Sequence, residues 1–154
     1  MAANLIFTSR LDADLKPAPI RPEWIRAGQP AARNAVIATS ADGGGSTILW
    51  ECTAGTFDWK YGIDETVYIL AGSVVIETET MPATRYGPGD VIVFMCGARA
   101  RWHVQDYIRK LAFCRRPEPR ALKMARAVWR RIKALRLVAR GTPPATAGSR
   151  LSAS

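Results

Sequence analysis

The sequence predicts an all-β fold, a single jelly-roll β-barrel, followed by a C-terminal basic amphipathic α-helix. Three observations predict it. Short runs rich in β-branched and aromatic residues follow one another closely through residues 35–116, the spacing of a sandwich or barrel. The runs are separated by Gly and Pro in specific turn arrangements. Finally, the charge is divided: residues 1–114 hold 11 Lys/Arg against 12 Asp/Glu, whereas residues 115–154 hold 11 against one, so the net +9 sits in the tail.

Residues 1–34 form an extended N-terminal arm on this reading. Pro17, Pro19, Pro22 and Pro30 remove backbone donors and fix φ. Trp24 and Ile25 are placed to pin the arm to the body. The barrel occupies residues 35–116, with strand-like runs at 35–39, 47–52, 56–60, 66–70, 73–80, 91–95, 100–104 and 107–114. Gly87-Pro88-Gly89-Asp90 reads as a type II turn, with Pro at the second position and Gly at the third. Gly43-Gly44-Gly45 reads as a loop, because neither a Lys-Ser/Thr pair nor a helix follows it as a phosphate cradle requires.

Residues 117–141 are expected to form the helix, with Pro119 in its first turn. Ala121, Leu122, Ala125, Val128, Trp129, Ile132, Leu135 and Ala139 fall at helical spacing on one face, and Lys123, Arg126, Arg130, Arg131 and Lys133 fall mostly opposite. Gly141 is a natural stop, and residues 142–154 read as a disordered tail.

Composition excludes several classes. Cys52, Cys96 and Cys114 are odd in number and form no C-x-x-C pair. Neither a zinc knuckle nor a disulfide framework is indicated. They read as buried or half-buried thiols of a reducing cytoplasm. Nothing resembles a signal peptide or a membrane-spanning run. The barrel body carries almost no net charge, and the helix lacks aromatics interleaved for base stacking, so nucleic acid is an unfavoured partner.

Two segments carry a family resemblance. One runs from Gly55 through Trp59, Lys60, Tyr61 and Glu65 to Gly72, with Glu65 seven residues before the glycine. The other runs from Gly87-Pro88-Gly89-Asp90 through Val91-Ile92-Val93-Phe94 to Gly97, and on to Trp102-His103-Val104. Together they resemble the cupin superfamily, and more narrowly the small single-barrel cupins named after the cupin domain of ureidoglycine aminohydrolase. The resemblance implies a cupin-type jelly roll and a homodimer.

Metal-binding cupins carry an H-x-H step before the glutamate and a third histidine in the second segment. Here the H-x-H positions fall on Trp59 and Tyr61, or on Asp58 and Lys60 if the gap is one residue longer. The third falls on Ala100. Only Glu65 remains, so the resemblance does not bring metal-dependent aminohydrolase activity with it. The chain's one histidine, His103, is opposite in strand parity to Ala100 and therefore points away from the cavity, while Trp102 and Val104 point in. An Asp58/Glu65 pair is the remaining route to a weak hard-cation site. The sequence therefore leads to no metal ligands and no cofactor.

The predicted pocket is lined by Trp59, Tyr61, Glu65 and Trp102, with Glu51 also placed to fix a ligand's hydroxyl or amine groups. The same aromatics could equally be core, and Glu65 could be paired with Lys60 or a backbone donor. Tyr68, opposite to Glu65 in parity, reads as core or interface. Three functions stay open. The first, toward which the sequence leans, is a metal-independent binder of a small polar metabolite, sugar-like in one version. The second is a metal-free isomerase or hydrolase using Glu65 with Tyr61 or Lys60. The third is an interaction protein whose helix, over residues 120–140, docks to an anionic membrane surface or packs on a partner.

Overall fold

The computed structural model describes Ile6, residues 8–117 and residues 120–140. The chain divides into two compact units, residues 1–117 and 118–154. In the first, the described residues form nine strands: β1 (Lys16–Pro17), β2 (Ile25–Gly28), β3 (Ala32–Thr39), β4 (Gly45–Lys60), β5 (Asp64–Gly72), β6 (Val74–Glu77), β7 (Thr84–Tyr86), β8 (Val91–Phe94) and β9 (Arg99–Arg115). The second contains one helix, α1 (Arg120–Arg140). The predicted helix stop at Gly141, Pro119 and the tail at 142–154 lie outside the described residues.

The barrel is organised by one long antiparallel ribbon, β4 with β9. Its first part, Gly45–Thr53 against Tyr107–Arg115, continues outward through β3 on one side and through β5 and β8 on the other. Its second part, Gly55–Lys60 against Arg99–Val104, continues through β2 on one side and through β6 and β7 on the other. The two long strands thus serve both sheets and turn the corner between them.

The sequence divides each of these strands in two, but the chain runs straight through. The reason is a bulge. Register shifts between Thr53 and Gly55, which locally twists and bends the pair without ending it. Gly55 looks like turn punctuation in the sequence, yet its role is close approach. A Cβ there would lie 2.7 Å from the ring of Pro30.

The N-terminal arm is also more integrated than expected. β1 pairs with β3, β2 pairs with β4, and β3 starts at Ala32, inside the predicted arm. The prolines fit because Pro17 ends a two-residue strand and Pro22 opens a 3-10 turn, positions that need no ladder donor. Trp24 pins the segment edge-on to Trp59 at 5.3 Å between ring centroids. The short strand β7 carries no hydrophobic alternation and was not legible. The type II turn is present: Asp90 N donates to Gly87 O at 3.0 Å, and Gly89 has φ 94°.

The core lies between the two sheets. Trp102, Tyr61, Phe57, Ile69, Ile76 and Ile108 are fully buried there. Tyr61 stacks on Phe94 with centroids 4.2 Å apart, and Phe57 stacks on Trp102 at 6.2 Å. Such pairs add about 0.5–1.5 kcal/mol each beyond the area they bury.

Gly72, where β5 bulges against β9, is the tightest point. It has φ 72°, and a Cβ would sit 1.9 Å from the Tyr107 carbonyl oxygen. Gly72→Ala is expected to cost on the order of 2–3 kcal/mol. Gly62→Ala, where no atom lies within 4 Å of the added carbon, should stay within about 0.5 kcal/mol. Thermal unfolding of both variants checks this, and equal melting temperatures would refute the close approach.

Candidate functional site

Alternation along the ribbon sets which side chains reach the interior. On β9, Ala100, Trp102, Val104, Ile108, Lys110, Ala112 and Cys114 are all buried. On β4, Trp50 and Cys52 belong to the core before the bulge, whereas afterwards Phe57 belongs to it and the half-buried Trp59 packs against it. The inward face therefore changes from even to odd numbers along β4. Trp50 and Trp59 consequently meet on one inner surface, 6.2 Å apart.

Part of this inner surface lines a half-open cavity of about 310 Å³, formed by Trp50, Trp59, Ile48, Ala112, Cys114, Glu65 and Lys110, with Ala18, Pro19 and Asn34 from the N-terminal segments. Its polar centre is an ion pair. Lys110 Nζ donates to Glu65 Oε1 at 2.7 Å, and both residues are buried, at 6% and 8% exposure. The same ammonium lies 4.9 Å from the Trp50 ring centroid and 4.7 Å from that of Trp102. β9 is the strand between β4 and β5, so Lys110 reaches the tryptophan of one neighbour and the glutamate of the other. Aromatic faces attract a cation most strongly where water is excluded.

Of the residues predicted to line the pocket, Trp59 and Glu65 do so. Tyr61 and Trp102 are instead core, at 2% and 1% exposure, joined by a hydrogen bond from Trp102 Nε1 to Tyr61 Oη at 3.1 Å. Burial, with the charge of Glu65 adding to it, pushes the Tyr61 phenol well above its usual range. It is therefore a locked neutral group. Glu51 belongs to the opposite face. It accepts from Arg33 across β3 and from Tyr107 Oη at 2.7 Å. Burial would raise its pKa, but the Tyr107 and Arg33 hydrogen bonds outweigh this and leave it lowered. The expectation that Glu51 would fix a ligand in the pocket is not met: Glu51 and Trp59 share odd parity, but the register shift between them puts them on opposite faces. Lys60 is exposed, so the cation beside Glu65 is Lys110, not Lys60.

Lys110 and Trp50 were missed. The available signal was Lys110 in the middle of the apolar run 107–114, but apolar residues occur there at both parities. His103 points outward, as its parity required, with Nδ1 3.2 Å from Thr56 Oγ1 and Nε2 3.4 Å from Glu77 Oε1. Tyr68 is outward and 39% exposed. Cys52 and Cys114 are buried, and burial raises both thiols to about 11. Cys96 departs from expectation in being exposed.

The positions that the resemblance assigns to metal ligands do not fit a transition metal. Trp59 and Ala100 supply no donor, the Tyr61 oxygen accepts from Trp102, and Glu65 already faces an ammonium. Asp58 cannot join Glu65 in a cation site either. It lies on the outer face, held by Arg26 Nε at 2.7 Å and Arg101 Nε at 2.6 Å. A larger cleft of about 560 Å³ opens there, lined by Trp24, Trp59 and several charged residues. Its principal charges are engaged with one another, Arg26 and Arg101 with Asp58 and Arg101 also with Glu77. The barrel cavity is the stronger candidate because its polar pair is buried and faces an aromatic wall.

Comparison with known proteins supports the fold. Residues 39–112 match the model of the EutQ-like cupin domain. No curated protein is similar to the chain in sequence. Among solved structures, a DUF861-family protein of unknown function from Pseudomonas syringae pv. tomato superposes with a TM-score of 0.63 at 21% identity, over 68% of this chain and 46% of its own. This chain therefore spans less than half of that protein. A predicted oxalate decarboxylase from Thermotoga maritima gives 0.57 at 17% identity, over 72% of this chain and 100% of its own. The EutQ protein of Clostridium difficile gives 0.50 at 19%, over 56% and 69%. At these identities the likeness is one of fold alone.

Two predictions follow from the electrostatics. Lys110→Met removes the hydrogen-bond partner of the buried Glu65 carboxyl, and should cost about 3–5 kcal/mol. Adding Glu65→Gln should recover most of that loss, since replacing both partners of a buried pair is often neutral. Chemical denaturation of the single and double variants measures it, and a double variant no more stable than the single would refute the pairing. The second concerns acid. Hydrogen bonds from Arg101 and Arg26 lower Asp58 from 3.8 to about 2. Its contribution is then full above its unfolded value and lost as pH falls through the folded one. Asp58→Asn should therefore flatten the stability profile between about pH 4 and pH 2, with little change in its slope at neutral pH.

Proposed function

We propose that this cupin barrel, matched over residues 39–112 by the EutQ-like domain, is a metal-independent binder of a small, neutral, polyhydroxylated, sugar-like molecule. The observation that carries the reading is the buried Lys110–Glu65 pair beside Trp50 and Trp59 in one cavity. A hydroxyl can accept from the ammonium while its neighbour donates to the carboxylate, so adjacent hydroxyls satisfy both groups. The C–H face of the ring then lies against an indole. The pair sums to zero charge. A sugar acid would set its own carboxylate against Glu65, which favours a neutral ligand. At about 310 Å³ the cavity is at the small end of ligand sites, suited to one ring.

Binding is favoured over catalysis by the state of the same groups. A general base must be free to take a proton. Here Glu65 Oε1 already accepts from the Lys110 ammonium at 2.7 Å, and Tyr61 is buried, neutral and accepting from Trp102.

The test is calorimetry or saturation-transfer NMR on chelator-treated protein, with a panel of neutral monosaccharides and their uronic acids. Neutral sugars should bind, chelator should have no effect, and Trp50→Ala or Trp59→Ala should weaken binding at least tenfold, as for a central aromatic anchor. Tighter binding of the uronic acids, or undiminished binding by both tryptophan variants, would overturn the reading. Turnover that survives chelator and is lost in Glu65→Gln would move the protein to the metal-free enzymes.

A further inference from the structure

Helix α1 has a composition that the barrel site does not use. Its 21 residues include eight Lys/Arg and no Asp or Glu. Leu122, Met124, Val128, Trp129 and Ile132 are exposed, Trp129 by 68% and Met124 by 69%. At about 100° per residue these five occupy one arc of roughly 160°. Arg126, Arg130, Arg131 and Lys133 occupy an arc of about the same width opposite it. No described helix is long and apolar enough to cross a membrane. The pattern is that of a helix lying in an interface plane, apolar below and cationic at the level of the headgroups.

We infer that α1 docks the protein to an anionic bilayer surface, with Val128, Trp129 and Ile132 in the acyl boundary and the basic arc on the headgroups. Charge complementarity selects this occupant. A second copy supplies little net negative charge to match, because residues 1–114 carry 11 basic against 12 acidic residues, and a symmetric pair of helices would set eight cations against eight. Nucleic acid would engage the basic arc but leave the exposed Trp129 and Ile132 without an apolar partner. A bilayer satisfies both arcs. Juxtamembrane basic residues gain from the negative surface potential of such membranes, while the exposed tryptophan suits the headgroup–acyl boundary.

The test is co-sedimentation of the full chain with vesicles of phosphatidylcholine alone or with about 30% phosphatidylserine, whose anionic headgroups give such membranes a negative surface potential. Binding should require phosphatidylserine and weaken at least tenfold when salt is raised severalfold. Arg130→Glu with Arg131→Glu should weaken it at least tenfold, and so should Val128→Asp with Ile132→Asp. Circular dichroism and an unchanged thermal unfolding transition of the barrel keep misfolding distinguishable from lost docking. Equal binding to both vesicle types, no binding by the full chain, or indifference to both double variants overturns the inference. Tighter binding to duplex DNA than to phosphatidylserine vesicles at the same salt also overturns it, as does a concentration-dependent dimer that Val128→Asp with Ile132→Asp dissolves.

Discussion

The fold and the cavity both depend on the break in side-chain alternation where β4 passes from Thr53 to Gly55. A strand exposes every second residue to one face, and a bulge can reset which set that is. Here the reset joins Trp50, which precedes it, to Phe57 and Trp59, which follow it, on one inner surface. It also keeps Glu51 on the opposite face, where it is buried but satisfied by Arg33 and Tyr107. Had alternation continued unbroken, a carboxylate would share the face of Phe57 and Trp59 while Trp50 faced out. Pro30 packed against Gly55 holds the place, since no residue with a side chain fits between them. The N-terminal segment is thus part of what shapes the site, and it also supplies Ala18, Pro19 and Asn34 to the cavity wall.

The interior contains one feature that stability alone does not require. A buried Lys–Glu pair costs several kcal/mol per ion to desolvate, and the mutual attraction typically does little more than repay it. Two apolar side chains of similar size would fill the same space at least as well. The pair is made tolerable by a 2.7 Å hydrogen bond and by two indole faces within 5 Å of the ammonium. Those same partners leave the pair at a cavity wall rather than sealed within the core. A polar group retained at an apolar wall is where a ligand finds direction as well as surface. This separates the cavity from the aromatic stack of Tyr61, Phe94, Phe57 and Trp102, which is packing.

Much of the barrel was legible because its signals are local. The Gly87–Asp90 turn follows from Pro and Gly at fixed positions, and the strands from runs of Val, Ile, Phe and Thr. The loss of histidines from the metal positions needs only a spacing. What was not legible depends on pairing. The bulge is invisible without knowing that β4 lies against β9, so Glu51 was placed on the wrong face. Lys110 sits in a run where Ile108, Ala112 and Cys114 point in, while Leu111 and Phe113 point out. With apolar side chains at both parities, alternation could not say which way the lysine faced. The exposed apolar side of that sheet, including Phe113 at 47% and Val93 at 56%, obscured the signal that a polar outer face would have made clear.

The electrostatics of the two units differ in kind, and this constrains how each can act. In the barrel, named charges meet partners within the same unit: Asp58 with Arg26 and Arg101, Glu51 with Arg33, Glu65 with Lys110. Their fields cancel over a few ångströms, so the barrel offers little long-range attraction. Recognition there must rest on contact, shape and hydrogen bonding, and should change little with salt. Helix α1 contains no acid of its own. Its field is uncancelled within the helix and extends to about a Debye length, roughly 8 Å at physiological ionic strength. A +9 chain whose first 114 residues are nearly neutral is therefore poorly described by its isoelectric point. Salt therefore acts chiefly on the field of the helix and leaves the short-range pairs of the barrel largely intact.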